Sequence, residues 1–410
     1  MSFDVVVVGA GIGGSALASV LARAGRSVLV LEKETEYRDK VRGEWLAPWG
    51  VAESQRLGLY ERLRAAGGHH VRLHKSAHHG ASPFPDLAGT MDMGALLPGV
   101  AGPLCLGHPR MCAALSEYAA ESGARVLRGV DALELGPFER GRRTVRFSHQ
   151  GARHDTSARL VVGADGRGSQ VRKQIGLTVH RDPTHHLFAG LLVEGAHDWP
   201  AELQAIGVEN DRHFLIFPQG GGRARLYLGY ALAQHKRLTG PEGAARFLES
   251  FTLECLPEAA PFARARPAGP CHSYGNEDSW VDSPLADGVV LLGDAAGHND
   301  PIIGQGLSIT LRDVRLVSEA LLAGDDWQPA AFADYASERR ERMRRLRFTA
   351  RLSSELEAEF GPEGEAKRER ARERIAKDPT LAMWLLAAFA GPETLPPQAF
   401  EPEVRTRLLG

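Results

Sequence analysis

The chain has 410 residues, of which 43% are hydrophobic and 24% charged, so it can bury a large core and is too long for one compact domain. Its formal net charge of −2 does not favour nucleic acid as a partner. The four cysteines have no Cys-x-x-Cys spacing, no apolar run is long enough to span a membrane, and a strand begins at once, without a signal peptide. We therefore expect a cytoplasmic protein without disulfides or a membrane span.

The first predicted elements form a β-α-β unit. Residues 5–8 are an apolar, β-branched run before a glycine, which is typical of a strand buried on both faces of a parallel sheet. Residues 15–24 favour a helix that ends at Gly25, and residues 27–32 favour a second strand.

A glycine fingerprint follows the first predicted strand. Gly9 permits a tight turn, Gly11 lets the backbone approach a pyrophosphate, and Gly13 and Gly14 let helix and strand pack closely. Glu32, at the end of the second strand, is placed to accept hydrogen bonds from an adenosine ribose and would disfavour a 2′-phosphate. The unit is therefore predicted to bind FAD or NAD rather than NADP.

Later segments repeat the buried-strand pattern or form a second sheet. Residues 160–163 and 288–292 each lead into a glycine-acid turn, whereas residues 212–218 and 223–230 alternate around a glycine run and predict an antiparallel hairpin. The predicted division is a discontinuous FAD-binding domain (1–75, 100–180 and 280–340), a substrate domain (76–99 and 181–279) and a helical C-terminal region (341–410).

The C-terminal region is rich in charge. Residues 337–347 and 362–377 carry many Arg and Glu residues at mixed spacing. Such runs are typical of solvated helices with ion pairs along the surface. The alternative is a basic face that touches anionic lipid or a partner.

Motifs in a fixed order carry a family resemblance. They are the fingerprint, Glu32, Arg42 ten residues later, Gly163-Ala164-Asp165-Gly166, and Gly293-Asp294-Ala295-Ala296 followed by Pro301 and Gly304-Gln305-Gly306. In order and spacing these motifs resemble the class A FAD-dependent monooxygenases, the aromatic hydroxylases typified by p-hydroxybenzoate hydroxylase, over about residues 1–345. The resemblance implies an α/β fold: a Rossmann-like FAD-binding domain with a parallel sheet, interrupted by a β-sheet substrate domain and followed by a helical tail.

The resemblance also implies roles for the motif residues. Asp294 would hydrogen-bond the ribityl chain of FAD, Arg42 would reach the ribityl or pyrophosphate region, and Asp165 and Gly166 would brace the cofactor-side strand. The helix that opens at Gly304-Gln305-Gly306 would direct its positive end at the flavin, and Pro301 would wall the site. The expected cofactor-binding residues are Gly9, Gly11, Gly13, Gly14, Glu32, Lys33, Arg42, Arg110, Asp165, Gly166, Gly293, Asp294, Pro301, Gly304, Gln305 and Gly306.

The implied reaction uses NAD(P)H as co-substrate and O2. Reduced FAD would form a C4a-hydroperoxide that hydroxylates or epoxidises an apolar or aromatic small molecule, a quinone or a polyketide-like compound. One departure leaves alternatives open, because Gly297 stands where the family has His. They are a geranylgeranyl-reductase-like flavin oxidoreductase, a flavin halogenase and a non-catalytic FAD-binding protein.

Candidate reactive residues lie mainly in the predicted substrate domain. Pro301, His213 and Tyr227 are the candidate catalytic residues, with His272 and Tyr274 as further candidate bases. The histidine cluster His69, His70, His74, His78 and His79 suggests a metal site, but no Cys or carboxylate lies between its members. We therefore predict a solvated loop there, and no metal.

Overall fold

The computed structural model describes residues 1–41, 43–80, 82–84 and 89–410. The strands are, in chain order, β1 (Ser2–Val8), β2 (Val28–Glu32), β3 (Trp45–Leu46), β4 (His69–His70), β5 (Leu73–His78), β6 (Thr90–Asp92), β7 (Leu104–Cys105), β8 (Arg125–Arg128), β9 (Val130–Glu139), β10 (Arg142–His149), β11 (Ala152–Gly163), β12 (His180–Arg181), β13 (His186–Glu194), β14 (Leu203–Glu209), β15 (Arg212–Gly220), β16 (Arg223–Ala231), β17 (Arg266–Pro267), β18 (His272–Asn276), β19 (Ser279–Trp280), β20 (Leu285–Ala286) and β21 (Val289–Leu291).

The α-helices alternate with these strands and then dominate the C-terminal part. They are α1 (Ile12–Arg23), α2 (Pro48–Arg56), α3 (Tyr60–Ala65), α4 (His108–Glu121), α5 (Gln170–Gln174), α6 (Gly243–Glu249), α7 (Gly306–Ala323), α8 (Ala333–Glu357), α9 (Pro362–Lys377), α10 (Ala387–Ala390) and α11 (Pro402–Leu409).

The first sheet has the order β20-β21-β11-β1-β2-β8, and β21, β11, β1, β2 and β8 run parallel. Val5 and Val7 of β1 pack in one core with α1, α4 and α7, while Val6 and Val8 pack on the opposite face. The predicted β-α-β unit and the α/β fold class are confirmed. Because parallel strands present their carboxyl ends at one edge, the turns after β1, β11 and β21 meet there.

The second sheet has the order β17-β13-β16-β15-β14-β5-β6, and β18 also pairs with β13. The predicted hairpin is confirmed, because β15 and β16 are antiparallel neighbours. Strand β5 pairs in parallel with β14, more than 120 residues later in the chain. The division into domains stays a prediction, and its boundary after residue 75 falls inside β5.

Helix α8 contradicts the prediction of a solvated surface helix. Arg339 and Arg342, within the charged run, are only 5% and 3% exposed. Asp313 of α7 lies between them, with its Oδ2 3.0 Å from Arg339 Nε and its Oδ1 2.7 Å from Arg342 Nη2. An anion on a neighbouring helix therefore lets this charged turn lie in the interior.

Candidate functional site

The fingerprint forms a tight turn between β1 and α1. Gly9 has φ of +100°, a backbone conformation that favours glycine. A Cβ atom at Gly14 would overlap the Gly9 carbonyl oxygen, and one at Gly13 would lie 2.7 Å from Leu292 Cδ1. At Gly11 nothing lies within 4 Å of that position, so this residue opens toward empty space. Gly13 and Gly14 are thus required by packing, and Gly11 leaves room for a ligand.

Glu32 is joined to the same turn. Its Oε2 accepts a hydrogen bond from the Ala10 backbone N–H at 2.6 Å, and its Oε1 accepts one from the Glu34 N–H at 2.9 Å. Each carboxylate oxygen keeps a second lone pair for a ribose hydroxyl. Glu32 therefore orders the turn and can still bind an adenosine ribose.

The second acidic turn follows β21. The Gly293 N–H donates to Asp313 Oδ2 at 2.8 Å, and Arg339 Nη2 donates to the Gly293 and Gly297 carbonyls at 3.0 Å each. Asp294 lies 3.3 Å from Arg167 Nε through its Oδ2. The buried ion cluster of α7 and α8 thus holds the turn that presents Asp294.

Asp165 has a local role in the turn after β11. Its Oδ2 accepts hydrogen bonds from the N–H groups of Gln170 and Val171, at 2.6 and 3.2 Å. It therefore binds the first turn of α5, which holds the loop that carries Gly166.

One cavity of about 710 Å³ runs along these turns and on between the second sheet and the C-terminal helices. It is lined by most of the predicted cofactor residues, namely Gly9, Gly11, Gly13, Glu32, Lys33, Asp165, Gly166, Gly293, Asp294, Pro301, Gly304, Gln305 and Gly306. Gly14 and Arg110 are not part of this lining; Gly14 is buried and Arg110 is exposed. Arg42 lies outside the described residues.

These residues fit FAD. No side chain caps the first turn of α1, so a pyrophosphate can bind at this helix end, and Gly11 leaves the approach open. Glu32 can supply an acceptor for the ribose, and the first residues of α7 line the same cavity. The donor set matches an extended dinucleotide with a phosphate in its middle.

Next to Ile302 and Ile303, which follow Pro301, the cavity has apolar and aromatic walls, and we call this part the substrate chamber. Its lining includes Trp45, Phe188, Ile206, Leu215, Phe217, Tyr227, Tyr274, Leu385, Ala388 and Phe389. Burial raises the pKa of Tyr227 well above its ordinary value, so its hydroxyl stays protonated. Tyr227 and Tyr274, both predicted candidates, line the chamber.

The C-terminal segment forms part of the chamber wall. Gln305 accepts a hydrogen bond from Trp49 Nε1 at 2.8 Å through Oε1, and its Nε2 donates to the Ala388 carbonyl at 2.9 Å. The start of α7 and the tail are thus connected through one buried amide.

The predicted base His213 is not part of the chamber lining. Its side chain is 0% exposed, and burial lowers its pKa to about 3, so the ring is neutral. His272 is exposed on β18 and does not line the cavity either. Neither position supports contact with a substrate.

The histidine cluster is not the solvated loop that was predicted. His69 and His70 form β4, and His74 and His78 lie on β5. His74 is 4% exposed and lines the cavity, and burial lowers its pKa to about 4. The absence of a metal stays a prediction.

Several lining residues were not predicted at all. They include Ser76, Ser353, Glu357, Leu385, Ala388 and Phe389. Five of these six lie beyond residue 345, where the family resemblance ends. Alternation along β5 was the available signal for Ser76, since it shares a face with His74.

Among the described residues, no helix is both long and apolar enough to cross a bilayer. A family model described as "FAD binding domain" matches residues 2–349. The chain belongs to this FAD-binding family. The predicted resemblance to FAD-dependent monooxygenases and the prediction of an enzyme are confirmed, at the level of a monooxygenase and oxidoreductase family.

Named relatives include both oxygenases and reductases. The chain is 27% identical to squalene monooxygenase of Mus musculus over 328 residues, which cover 78% of this chain and 54% of the mouse enzyme. It is 28% identical to menaquinone reductase of Mycolicibacterium smegmatis, over 78% of this chain and 76% of that protein. The chain thus spans about half the length of the first relative and three quarters of the second.

A solved structure shows the same fold. The p-nitrophenol 4-monooxygenase PnpA of Pseudomonas putida DLL-E4 superposes with a TM-score of 0.76 at 22% identity, over 92% of this chain and 95% of that chain. At this identity the likeness concerns the fold alone.

Proposed function

We propose that this member of the FAD-binding family is a monooxygenase that uses NAD(P)H and O2 to hydroxylate or epoxidise an aromatic, quinone or polyketide-like small molecule. The observation that carries the proposal is one cavity whose lining includes both the glycine turns and, next to Pro301, a chamber with aromatic walls. A flavin bound along the turns would have its reactive ring at the entrance of that chamber.

When bound, FAD supplies hydride acceptance from NAD(P)H and the activation of O2. The protein has to bind the cofactor, orient the substrate and exclude water. Gly11, Glu32 and Asp294 would hold the cofactor. The amide groups at the start of α7 would place partial positive charge beside the flavin. Tyr227, kept protonated by burial, would donate a hydrogen bond in the chamber.

The test is oxygen incorporation by the purified holoprotein. Aromatic and polycyclic compounds would be supplied with NADH or NADPH under 18O2, with 16O2 as the control. We expect substrate-stimulated NAD(P)H oxidation and a product heavier by one 18O atom. NAD(P)H oxidation that yields only hydrogen peroxide with every compound would contradict the proposal.

A reductase is the second candidate, because the menaquinone reductase is as similar in sequence as the monooxygenase relative. Gly297, the residue that raised this alternative, has a packing reason in this chain. Its φ is +112°, and a Cβ there would lie 2.5 Å from the Ser279 carbonyl oxygen. Gly297 therefore does not favour reduction by itself. Formation of a dihydro product in the absence of O2 would support the reductase and exclude the monooxygenase.

A further inference from the structure

A chain of hydrogen bonds leads through the second sheet to a serine in the substrate chamber. Trp45 Nε1 donates to Gln204 Oε1 at 2.8 Å, and Gln204 Nε2 lies 3.0 Å from His74 Nδ1. His74 Nε2 lies 3.1 Å from Ser76 Oγ. Trp45, His74 and Ser76 all line the cavity.

The direction of this chain follows from the donors available. An indole N–H can only donate, so Gln204 must turn its oxygen to Trp45 and its NH2 group to His74. His74 Nδ1 is then the acceptor, and since burial keeps the ring neutral, its proton lies on Nε2. Ser76 Oγ therefore accepts from His74, and its own hydroxyl hydrogen is available to a ligand.

Glu357 supplies an acceptor to the same chamber. Its carboxylate lines the cavity at the last residue of α8, with a side chain that is 14% exposed. His213 Nε2 lies 3.4 Å from Oε2 but makes no hydrogen bond within the described part of the chain. Arg368 Nη1 donates to the Leu356 and Glu359 carbonyls instead.

The position of Glu357 is costly for a carboxylate without a ligand. A helix C-terminus disfavours negative charge, and burial raises the pKa of Glu357 to about 7. A hydrogen-bond donor from a ligand would stabilise the group.

The sheet register places the two polar groups over one floor. Ser76 pairs with Ile206, which pairs with Leu215 on the next strand. One step along the same face, Val208 pairs with His213, above which Glu357 lies. Ile206 and Leu215, which also line the cavity, therefore form an apolar floor between the serine and the carboxylate.

We propose that Ser76 and Glu357 form the two ends of a subsite for an aromatic or polycyclic substrate that carries two hydroxyl groups and lies over this floor. Ser76 donates to the oxygen of one hydroxyl group, and Glu357 accepts the hydrogen of the other. A carboxylate on the substrate would instead be repelled by Glu357, because both groups are anions. This inference rests on the proposed function for the aromatic part of the substrate, but it concerns binding and not oxygen transfer.

The test measures binding of three probes to the FAD-loaded protein by calorimetry at pH 8: the alcohol 2,6-naphthalenedimethanol, the acid naphthalene-2,6-dicarboxylic acid and the hydrocarbon 2,6-dimethylnaphthalene. We expect the alcohol to bind at least tenfold more tightly than the acid and several-fold more tightly than the hydrocarbon. Glu357→Gln should reduce the preference for the alcohol over the acid to less than threefold. Ser76→Ala should lower the affinity for the alcohol several-fold and leave the affinity for the hydrocarbon unchanged.

Glu359→Gln is the matched control, because Glu359 is exposed, pairs with Lys367 and does not line the cavity. It should keep the wild-type preference, and all variants should retain full FAD content. Equal affinity of the alcohol and the acid for the wild-type protein would overturn the subsite. So would an unchanged preference in Glu357→Gln.

The two proposals fail in different ways. Selective binding of the alcohol without any 18O incorporation would overturn the monooxygenase function and leave the subsite in place. Oxygen incorporation into aromatic compounds without the alcohol preference would overturn the subsite alone.

Discussion

Arg225 of the second sheet donates two hydrogen bonds to Glu44, which also lines the cavity. Arg225 Nε lies 2.6 Å from Glu44 Oε2, and Nη2 lies 2.9 Å from Oε1. Arg225 Nη2 also lies 2.6 Å from Asp39 Oδ2. Arg225 is 1% exposed and Glu44 is 4% exposed. This buried pair therefore links the second sheet to the segment just before β3.

Arg225→Met should leave Glu44 buried without its cation. We expect the free energy of unfolding to fall by about 3–5 kcal/mol, because an uncompensated buried charge remains. Adding Glu44→Gln to that variant should recover part of the loss. The measurement is chemical denaturation of all three proteins.

The control is Arg223→Met on the same strand. The side chain of Arg223 is 35% exposed, so this change should lower the free energy of unfolding by less than about 1 kcal/mol. Equal losses from Arg225→Met and Arg223→Met would contradict the prediction.

Two glycines of the fingerprint should respond differently to alanine. Gly11→Ala should fold normally, since nothing lies within 4 Å of the added Cβ, but should bind FAD at least tenfold more weakly. Gly14→Ala should lower the thermal unfolding midpoint, because its Cβ meets the Gly9 carbonyl oxygen. Flavin content and thermal unfolding of both variants check this. Wild-type FAD affinity in Gly11→Ala would show that the pyrophosphate lies elsewhere.

Asp313 should affect both stability and the cofactor. Asp313→Asn removes the anion between Arg339 and Arg342, and we expect a loss of about 3 kcal/mol in the free energy of unfolding. FAD content should fall as well, because Arg339, which binds the Gly293 and Gly297 carbonyls, loses its anion. Asp334→Asn, at an exposed position on α8, is the control. The idea is wrong if both variants behave alike.

Asp300 should make the stability depend on pH. Burial, with smaller contributions from Asp278 and Glu277, raises its pKa from 3.8 to about 8. The folded protein favours the protonated form of Asp300. This contribution to stability is complete below the pKa of the unfolded chain, 3.8, and is lost as the pH rises through about 8. Asp300→Asn, neutral at every pH, should therefore gain stability relative to wild type steadily between pH 5 and pH 8, and no further above about pH 8.5.

A series of thermal unfolding midpoints from pH 5 to pH 9 measures this gain, which should reach roughly 2–4 °C by pH 8. Asp287→Asn, at an exposed position, should show no such trend. A difference between Asp300→Asn and wild type that does not change with pH would refute the prediction.

Local patterns were sufficient for the cofactor half of the molecule. The strand ending at Val8, the glycine turn and the strand ending at Glu32 are adjacent in sequence, and each shows its period within a few residues. The pairing of β5 with β14 could not be predicted in this way, because its partners are distant in the chain and the match depends on the whole sheet.

Charge patterns were misleading where a distant partner decides burial. Arg339 and Arg342 look like surface residues in their own helix, and only Asp313, on a different helix, makes their burial possible. His74 looked solvated beside glycines, whereas its hydrogen bond with Gln204 depends on a strand that follows much later. Satisfaction of buried polar groups is a property of the folded molecule and is not visible in a window of sequence.

The wall that Leu385, Ala388 and Phe389 contribute lies outside residues 2–349, the part matched by the family model. The part matched by the model holds the cofactor turns, and the part beyond it closes the chamber. The Ala388 carbonyl of this tail also accepts a hydrogen bond from Gln305, at the start of α7. Exchanging the tail for that of a relative would therefore change the shape of the chamber and the support of α7 together.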